Sequence, residues 1–463
     1  MPDTAPINIL VSPLNWGSGH ATRLSVICRE LSGRGHKIFV AAEACHRHIF
    51  DDKDIAGFIE LPASRIRYSS FLPQYVAVLL QLPFLVYYFF RDRLHAGRLV
   101  RRYDIDVLIS DNRFGFWSRR VYSVYITHQL RVMLPRVFRF MQGVVSWKHR
   151  MLAGCYDEVW VPDFKEGDDL SGRLSHDCRL PGAVRFIGTL SREERGERGE
   201  ERGERGEGSE ERRAKSEKGM GGNINMGTGR CGMRVVAGSR GHGAGGKAKS
   251  EERRAKSEKG MVGNMNMGTG RCGMRAALAL QNDKFSLLLL SGPEPQRSMF
   301  EGMVVARVRD FDGMIVVAGG REQGAGGKAK SEERRANSEK RMGGNMNMGT
   351  GDRVLRCGWV DGDELWWLIR HAEHIICRPG YSTVMDLYHM GRKALVVPTP
   401  GQPEQEYLGE YLEERYGFVN IEQRDLQGAE LFFPREDDGF GPGDREQGQL
   451  AAAMDEFFKK LQE

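Results

Sequence analysis

Short, continuous apolar runs alternate along this chain with stretches in which apolar residues recur every three or four positions. Residues 7–12 (INILVS) form one such run, the pattern of a strand covered on both faces of a parallel sheet. Beyond a glycine-containing turn, Leu24, Ile27, Cys28 and Leu31 stand at i, i+3, i+4 and i+7. That spacing predicts one buried face of a helix, which stops at the glycines of 33–35. Residues 37–41, 106–110, 121–127 and 158–162 read as further strands, with a helical stretch over 131–152. The second half repeats the alternation, with strands expected at 285–291, 314–318, 374–377 and 394–398. Helices are expected there at 295–308, 363–371, 382–390 and 404–414, and a last one at 449–461 after the Gly/Pro-rich loop at 439–443. Two successive βαβ series predict an α/β chain of two doubly wound, Rossmann-like domains facing each other across a cleft.

Repetitive tracts interrupt this pattern. Residues 209–234 (SEERRAKSEKGMGGNINMGTGRCGMR) recur at 250–275 and, trimmed, at 331–351, while 194–208 consist of Arg-Gly-Glu units. Few large apolar residues occur there, so burial cannot offset the entropy of ordering, and disordered low-complexity insertions are expected. Nucleic acid is not expected as their partner, because Glu is interspersed with Arg and Lys and no aromatic residue offers a stacking surface. Without 192–275 and 321–351, about 350 of the 463 residues remain. The expected organisation is a first domain at 1–190, an insertion at 191–275, and a second domain at 276–447 carrying the second insertion at 321–351. A terminal helix at 448–463 completes it.

The net charge of +6 is uneven in its distribution. Between positions 65 and 150 there are fifteen Lys/Arg against four Asp, which favours an anionic partner such as phosphate or an acidic membrane surface, or else marks a solvated basic face. The eight cysteines show neither a C-x-x-C pair nor zinc-like spacing, so no metal site or disulfide is implied. Residues 1–6 lack the features of a signal peptide, and a cytoplasmic location is expected. The most apolar stretch, 71–90 (FLPQYVAVLLQLPFLVYYFF), approaches the length of a membrane span. Pro73, Gln74, Gln81 and Pro83 break it, and Arg91, Arg93, Arg98, Arg101 and Arg102 follow. The expectation is domain core plus an apolar and basic patch, 71–102, that lies on a membrane surface as a peripheral contact.

Candidate chemistry gathers at strand-to-helix junctions. After the first strand come Gly17, Gly19 and His20, where glycines permit a tight turn and helix-start amides point into the cleft. Ser291 and Gly292 close one strand of the second half. Residues 377–386 (CRPGYSTVMD) supply a cation in Arg378, helix-start amides near Gly380, the hydroxyls of Ser382 and Thr383, and a carboxylate in Asp386. Residues 398–407 (PTPGQPEQEY) add Gln402 and Gln405. A diphosphate is held by N–H groups and a helix dipole, and a ribose diol by a carboxylate. Arg378 also reads as a structural ion-pair donor, and Asp386 as a solvated helix residue. Asp111 and His128 each end a strand of the first domain; the first also suits a helix N-cap, and the second a buried, satisfied histidine.

On these blocks the chain resembles GT-B glycosyltransferases of the family-28 type, the group containing the peptidoglycan-precursor N-acetylglucosaminyltransferase. The residues that carry the likeness are Gly-Ser-Gly-His-Ala-Thr-Arg at 17–23, SGPEPQR at 291–297, CRPGYST at 377–383 and PTPGQPEQ at 398–405. The resemblance implies an inverting transferase moving a hexose or N-acetylhexosamine from a UDP-sugar to a hydroxyl acceptor, lipid-linked or part of a cell-envelope glycan, with no cofactor beyond the donor. It implies a nucleotide-sugar site of Gly17, Gly19, Ser291, Gly292, Arg378, Gly380, Ser382, Thr383, Gln402 and Gln405, with Asp386 at the ribose. His20 is implied as catalytic base with Asp111 as its partner, and the enzyme as bound peripherally to the inner face of the cytoplasmic membrane. Rival readings are an epimerase or hydrolase on the same fold, or a catalytically dead nucleotide-sugar or nucleic-acid binder.

Overall fold

The computed structural model describes residues 6–15, 18–63, 80–176, 182–190, 284–292, 294–311, 313–319, 353–357, 360, 362–435, 440–442 and 448–463. The repeat tracts, Gly17 and residues 71–79 lie outside them. The first sheet consists of β1 (Asn8–Pro13), β2 (Lys37–Ala42), β3 (Gly57–Glu60), β4 (Val107–Asp111), β5 (Tyr122–Ile126), β6 (Glu158–Val161) and β7 (Ala183–Phe186). Its order is β3-β2-β1-β4-β5-β6-β7, and every pairing is parallel. The second sheet holds β8 (Phe285–Leu290), β9 (Met314–Gly319), β10 (Val354–Cys357), β11 (His374–Cys377), β12 (Leu395–Val396) and β13 (Val419–Asn420). It is again fully parallel, in the order β10-β9-β8-β11-β12-β13. In each sheet the winding reverses beside the first strand, at β1/β4 and at β8/β11. Open α/β sheets bind ligands at such switch points.

The helices are α1 (Gly19–Gly33), α2 (Leu82–Arg102), α3 (Gln142–Ala153), α4 (Gln296–Val305), α5 (Gly362–His371), α6 (Tyr381–His389), α7 (Pro403–Tyr416) and α8 (Gln449–Gln462). The predicted face of α1 is the one that is buried, since Leu24, Ile27, Cys28 and Leu31 have no exposed surface. Around β1 and β4, Leu10 and Leu108 pack with Ala96, Leu99 and Val100 of α2 and with Phe116. In the second sheet Leu288, Ile315, Val317, Ile376 and Leu395 form a core with Phe300 and Val304 of α4. Such burial of aliphatic and aromatic side chains, about 1.5–3 kcal/mol each, is the main favourable contribution to folding.

Several elements differ from the sequence expectation. The helix expected over 131–152 begins only at Gln142, because Pro135 caps a separate 3-10 turn at Arg136–Met141. The strand expected at 394–398 pairs only over Leu395–Val396. Helix α2 is not among the elements expected from the sequence. Its C-terminal half is fixed to the sheet by Asp92, whose carboxylate accepts from Arg113 at 2.6 and 2.8 Å while Arg113 also donates to Ser12 Oγ at 3.1 Å. Among the described residues no helix is long and apolar enough to cross a membrane.

The last helix returns to the first sheet. Phe457 of α8 is fully buried and meets Trp160 edge-on at 5.0 Å and Tyr122 at 5.7 Å, and Phe458 lies 4.4 Å from the ring of His36. Lys460 donates to the buried Glu158 at 3.1 Å, and Arg34 pairs with Asp455 and with the carbonyl of Ala451 at 2.8 Å. The two domains touch elsewhere through hydroxyls: Tyr381 donates to the carbonyl of Pro162 at 2.9 Å, and Tyr416 to that of Asp169 at 2.7 Å.

Candidate functional site

The residue at the end of β4 and the first turn of α1 meet at the switch point of the first sheet. Asp111 closes β4 with no exposed surface, and Nδ1 of His20 lies 3.1 Å from its Oδ1. The pairing follows from topology: β1 and β4 are neighbours in register, with Pro13 opposite Asp111. The chain leaving β1 therefore starts α1 beside the end of β4. Sequence reasoning missed the group that dominates this site. Arg23 is three residues beyond His20 on the same face of α1. Its Nε donates to Asp111 Oδ2 at 2.6 Å and its Nη2 to Oδ1. The same Nη2 stands 2.7 Å from His20 Nδ1, and Nη1 stands 3.2 Å from His128 Nδ1. His128 in turn reaches Glu404 Oε1 through Nε2 at 2.7 Å and stacks on Tyr381 at 4.2 Å with an interplanar angle of 1°. Glu404 sits in the first turn of α7 and Tyr381 opens α6, so the cluster joins the two domains.

Charge within the cluster is settled by competition between burial and partners. Burial alone would raise the carboxyl of Asp111, but the charge of Arg23, then that of His20, and hydrogen bonds from both hold it at about 2. Burial pulls His20 below its ordinary value; Asp111 opposes this and Arg23 reinforces it. Glu404 is raised by burial but carried below the usual carboxylate range by the charge and hydrogen bond of His128. The first domain thus presents a neutral imidazole whose partner carboxylate stays ionised throughout the physiological range.

Gly19 is a position where the domains approach each other closely beside this cluster. A Cβ there would stand 2.8 Å from Ser382 Oγ and 3.3 Å from Ser382 Cβ, in the first turn of α6. A side chain at this position would require the Ser382 hydroxyl to turn away or the two helix starts to move apart. Gly380 is the N-cap of α6, and Ser382 and Thr383 are half-buried in its first turn. Asp386 is buried one turn further on. Ser291 and Gly292 follow β8, the serine half-buried and the glycine exposed in the left-handed region at φ 92°. Gln402 caps α7, while the buried Gln405 accepts from the amide of Thr399 at 2.9 Å. Gly17 lies outside the described residues.

Arg378, expected in the nucleotide-sugar site, is held within the second domain. It is 1% exposed, and its Nη1 donates to the carbonyls of Val397 and Pro398 at 2.8 and 3.0 Å. Its Nη2 donates to Gln423 Oε1 at 2.5 Å, and the guanidinium lies 4.1 Å from the centre of the Phe300 ring. Burial lowers it to about 10. These acceptors and the aromatic face lie inside the domain. The side chain therefore turns inward and ties the loops after β11 and β12 to α4. Among the described residues, no group of three or more His, Cys, Asp and Glu converges as a metal site.

Comparison with known proteins places this geometry. Residues 363–433, which span α5 to β13 and both the 377–386 and 398–407 blocks, match the glycosyltransferase family 28 C-terminal domain. No curated protein sequence matches the chain. Among solved structures, the chain is similar to UGT89C1 of Arabidopsis thaliana, crystallised with UDP-L-rhamnose, at 12% identity over 99% of both chains with a TM-score of 0.50. It is likewise similar to CalG4, the calicheamicin glycosyltransferase, at 11% identity over 99% of both chains with a TM-score of 0.50. At such identities the likeness is one of fold. The two parallel sheets facing a cleft are those of the GT-B architecture, and the second carries the family 28 C-terminal match.

Proposed function

We propose that the protein is an inverting glycosyltransferase that moves a hexose or N-acetylhexosamine from a UDP-sugar to a hydroxyl acceptor. The observation that carries this reading is the His20–Asp111 contact at the switch point of the first sheet, directly beside Gly19 and Ser382 at the start of α6. His20 acts as the base. With the ring proton on Nδ1, facing Asp111, its Nε2 takes the acceptor proton as the acceptor oxygen attacks the anomeric carbon, and the bond from that carbon to the diphosphate breaks with its electron pair leaving on UDP. The charge that develops on the diphosphate is met by the N-terminus of α6 with the hydroxyls of Ser382 and Thr383. Asp386 holds the ribose. A UDP-sugar is also what the similarly folded Arabidopsis protein was crystallised with.

The acceptor is proposed to be lipid-linked, reached by peripheral contact with the inner face of the cytoplasmic membrane. Support comes from the first half of α2, where Leu82, Phe84, Tyr87 and Phe90 are each more than half exposed, with Arg98, Arg101 and Arg102 exposed further along. Each such cation contributes about 1 kcal/mol near an anionic surface. A high-salt wash should release the protein from membranes without detergent; retention after the wash argues against a peripheral contact.

Turnover on a panel of UDP-sugars tests the chemistry. His20→Ala should lower kcat by roughly 10²–10⁴ with donor affinity near normal. Since His20 is held below 6.5 by burial, the acid limb of kcat/KM should fall below pH 6.5, activity being lost as the ring protonates. Full turnover by the alanine variant removes His20 from the role of base. Sugar release or epimerisation without an acceptor replaces transfer with the rival chemistry.

A further inference from the structure

We propose that Arg23 is a positioning residue that decides which nitrogen of His20 bears the proton, and that it couples this choice, through His128, to Glu404 on the second domain. Its functional meaning rests on the reading of His20 as base, but its physical basis is independent of that reading. A guanidinium has donors and no acceptor. Nη2 of Arg23 lies 2.7 Å from His20 Nδ1, so Nδ1 accepts and the ring proton sits on Nε2. In the alternative tautomer, Nδ1–H donates to Asp111 Oδ1, 3.1 Å away. That form would set two donors against each other across 2.7 Å. Arg23 and the Nδ1–H form of His20 are therefore mutually exclusive in this arrangement.

The same reasoning fixes His128. Nη1 of Arg23 stands 3.2 Å from its Nδ1, which accepts, and its Nε2–H donates to Glu404 Oε1 at 2.7 Å. One buried guanidinium thus sets the tautomers of two histidines while holding both oxygens of Asp111. The groups facing it are Asp111 from β4, His20 on its own helix, His128 after β5, and Glu404 and the Tyr381 ring from the second domain.

The consequence is a resting site set against proton uptake. With its proton on Nε2, His20 offers a donor to an incoming hydroxyl. Only when Nη2 leaves Nδ1 can the ring exchange that proton with solvent, gain one at Nδ1 facing Asp111, and free the Nε2 lone pair; the net charge is unchanged. Glu404 is the second domain's end of the chain. Any hydrogen-bond donor drawn to its carboxylate, or any shift of α7, loosens His128 and is felt at Arg23.

The test is read on the full-length protein without donor or acceptor, labelled with ¹⁵N-histidine. Long-range ¹H–¹⁵N correlations at pH 8, assigned with His20→Gln and His128→Gln, report which ring nitrogen is protonated. The expected result is Nε2–H as the major form of both histidines. Arg23→Lys retains the charge beside Asp111 but loses the fork, and should switch the major form of His20 to Nδ1–H. Glu404→Gln should shift the His20 nitrogens although it lies on the other domain. Nδ1–H at His20 in the unsubstituted protein overturns the proposal, as does an unchanged tautomer in Arg23→Lys. Unmoved His20 signals in Glu404→Gln overturn the coupling. These signals belong to the resting protein, whereas the role of His20 as base is judged by turnover of His20→Ala, so either can fail without the other.

Discussion

Replacing Asp111 with asparagine deletes the one charge that balances Arg23 inside the first domain, and the cost should depend on pH in a defined way. Asp111 has no exposed surface, and its carboxyl is lowered from 3.8 to about 2. A carboxylate depressed in the folded state adds stability that is fully present above its unfolded pKa and disappears as pH falls through the folded one. With about 1.4 kcal/mol per pH unit, the charged form contributes on the order of 2 kcal/mol at neutral pH. About half of that should be gone by pH 3, and nearly all of it below pH 2. The asparagine variant lacks this linkage and leaves a buried cation uncompensated, a change that costs about 3–5 kcal/mol. Urea unfolding followed by tryptophan fluorescence, run on both proteins from pH 7 to pH 3, gives the difference in unfolding free energy at each pH. That difference should be largest at neutral pH and shrink by about 1 kcal/mol by pH 3. A gap that stays constant over this range would show that Asp111 is not held in its charged form by Arg23 and His20, and the electrostatic account of the site would fail.

Other substitutions probe the remaining contacts. Gly19→Ala brings a methyl within 2.8 Å of Ser382 Oγ and should lower kcat/KM by about tenfold through misplacement of the two helix starts; adding Ser382→Gly should recover much of that loss, and no recovery means the clash is not the cause. Arg378→Met strands the carbonyls of Val397 and Pro398 and should lower the melting temperature of the second domain, at about 1–3 kcal/mol for each unsatisfied group. An unchanged melting temperature with lost donor affinity would instead assign Arg378 to the ligand site. Phe457→Ala removes the ring that fills the space between Tyr122 and Trp160 and should destabilise the protein by about 3–5 kcal/mol in thermal or urea unfolding.

How much of this was legible in the sequence differs from residue to residue. The β1–α1 unit was readable because both of its periodicities are local, a buried run followed by apolar residues three and four apart. His20 and Asp111 were readable as strand-end residues of one sheet. The role of Arg23 was not, although it closes the 17–23 block, since its partners Asp111 and His128 lie 88 and 105 residues away. The inward packing of Arg378 is hidden for a related reason. A cation after a strand looks the same in sequence whether it turns outward to a phosphate or inward over Phe300. Helix α2 was hidden because its first half is apolar all round, with no period to read, and its buried anchor depends on the distant Arg113. The edge strands β3, β7, β10 and β13, four residues or fewer, carry too short an apolar pattern to separate from loops.

The return of α8 to the first sheet bears on how the chain is made. Synthesis runs from the N-terminus, and domains generally fold as they emerge. The first domain cannot finish in that order. Its seat for Phe457, formed by Tyr122 and Trp160, and the buried Glu158 that awaits Lys460 are translated some three hundred residues before their partners. Between them come the second domain and both repeat tracts. Until the last helix is released, an aromatic groove and an incompletely paired carboxylate stay open on the nascent protein. This is the interval in which a chaperone, or a misplaced segment of the same chain, has its best access to the first domain.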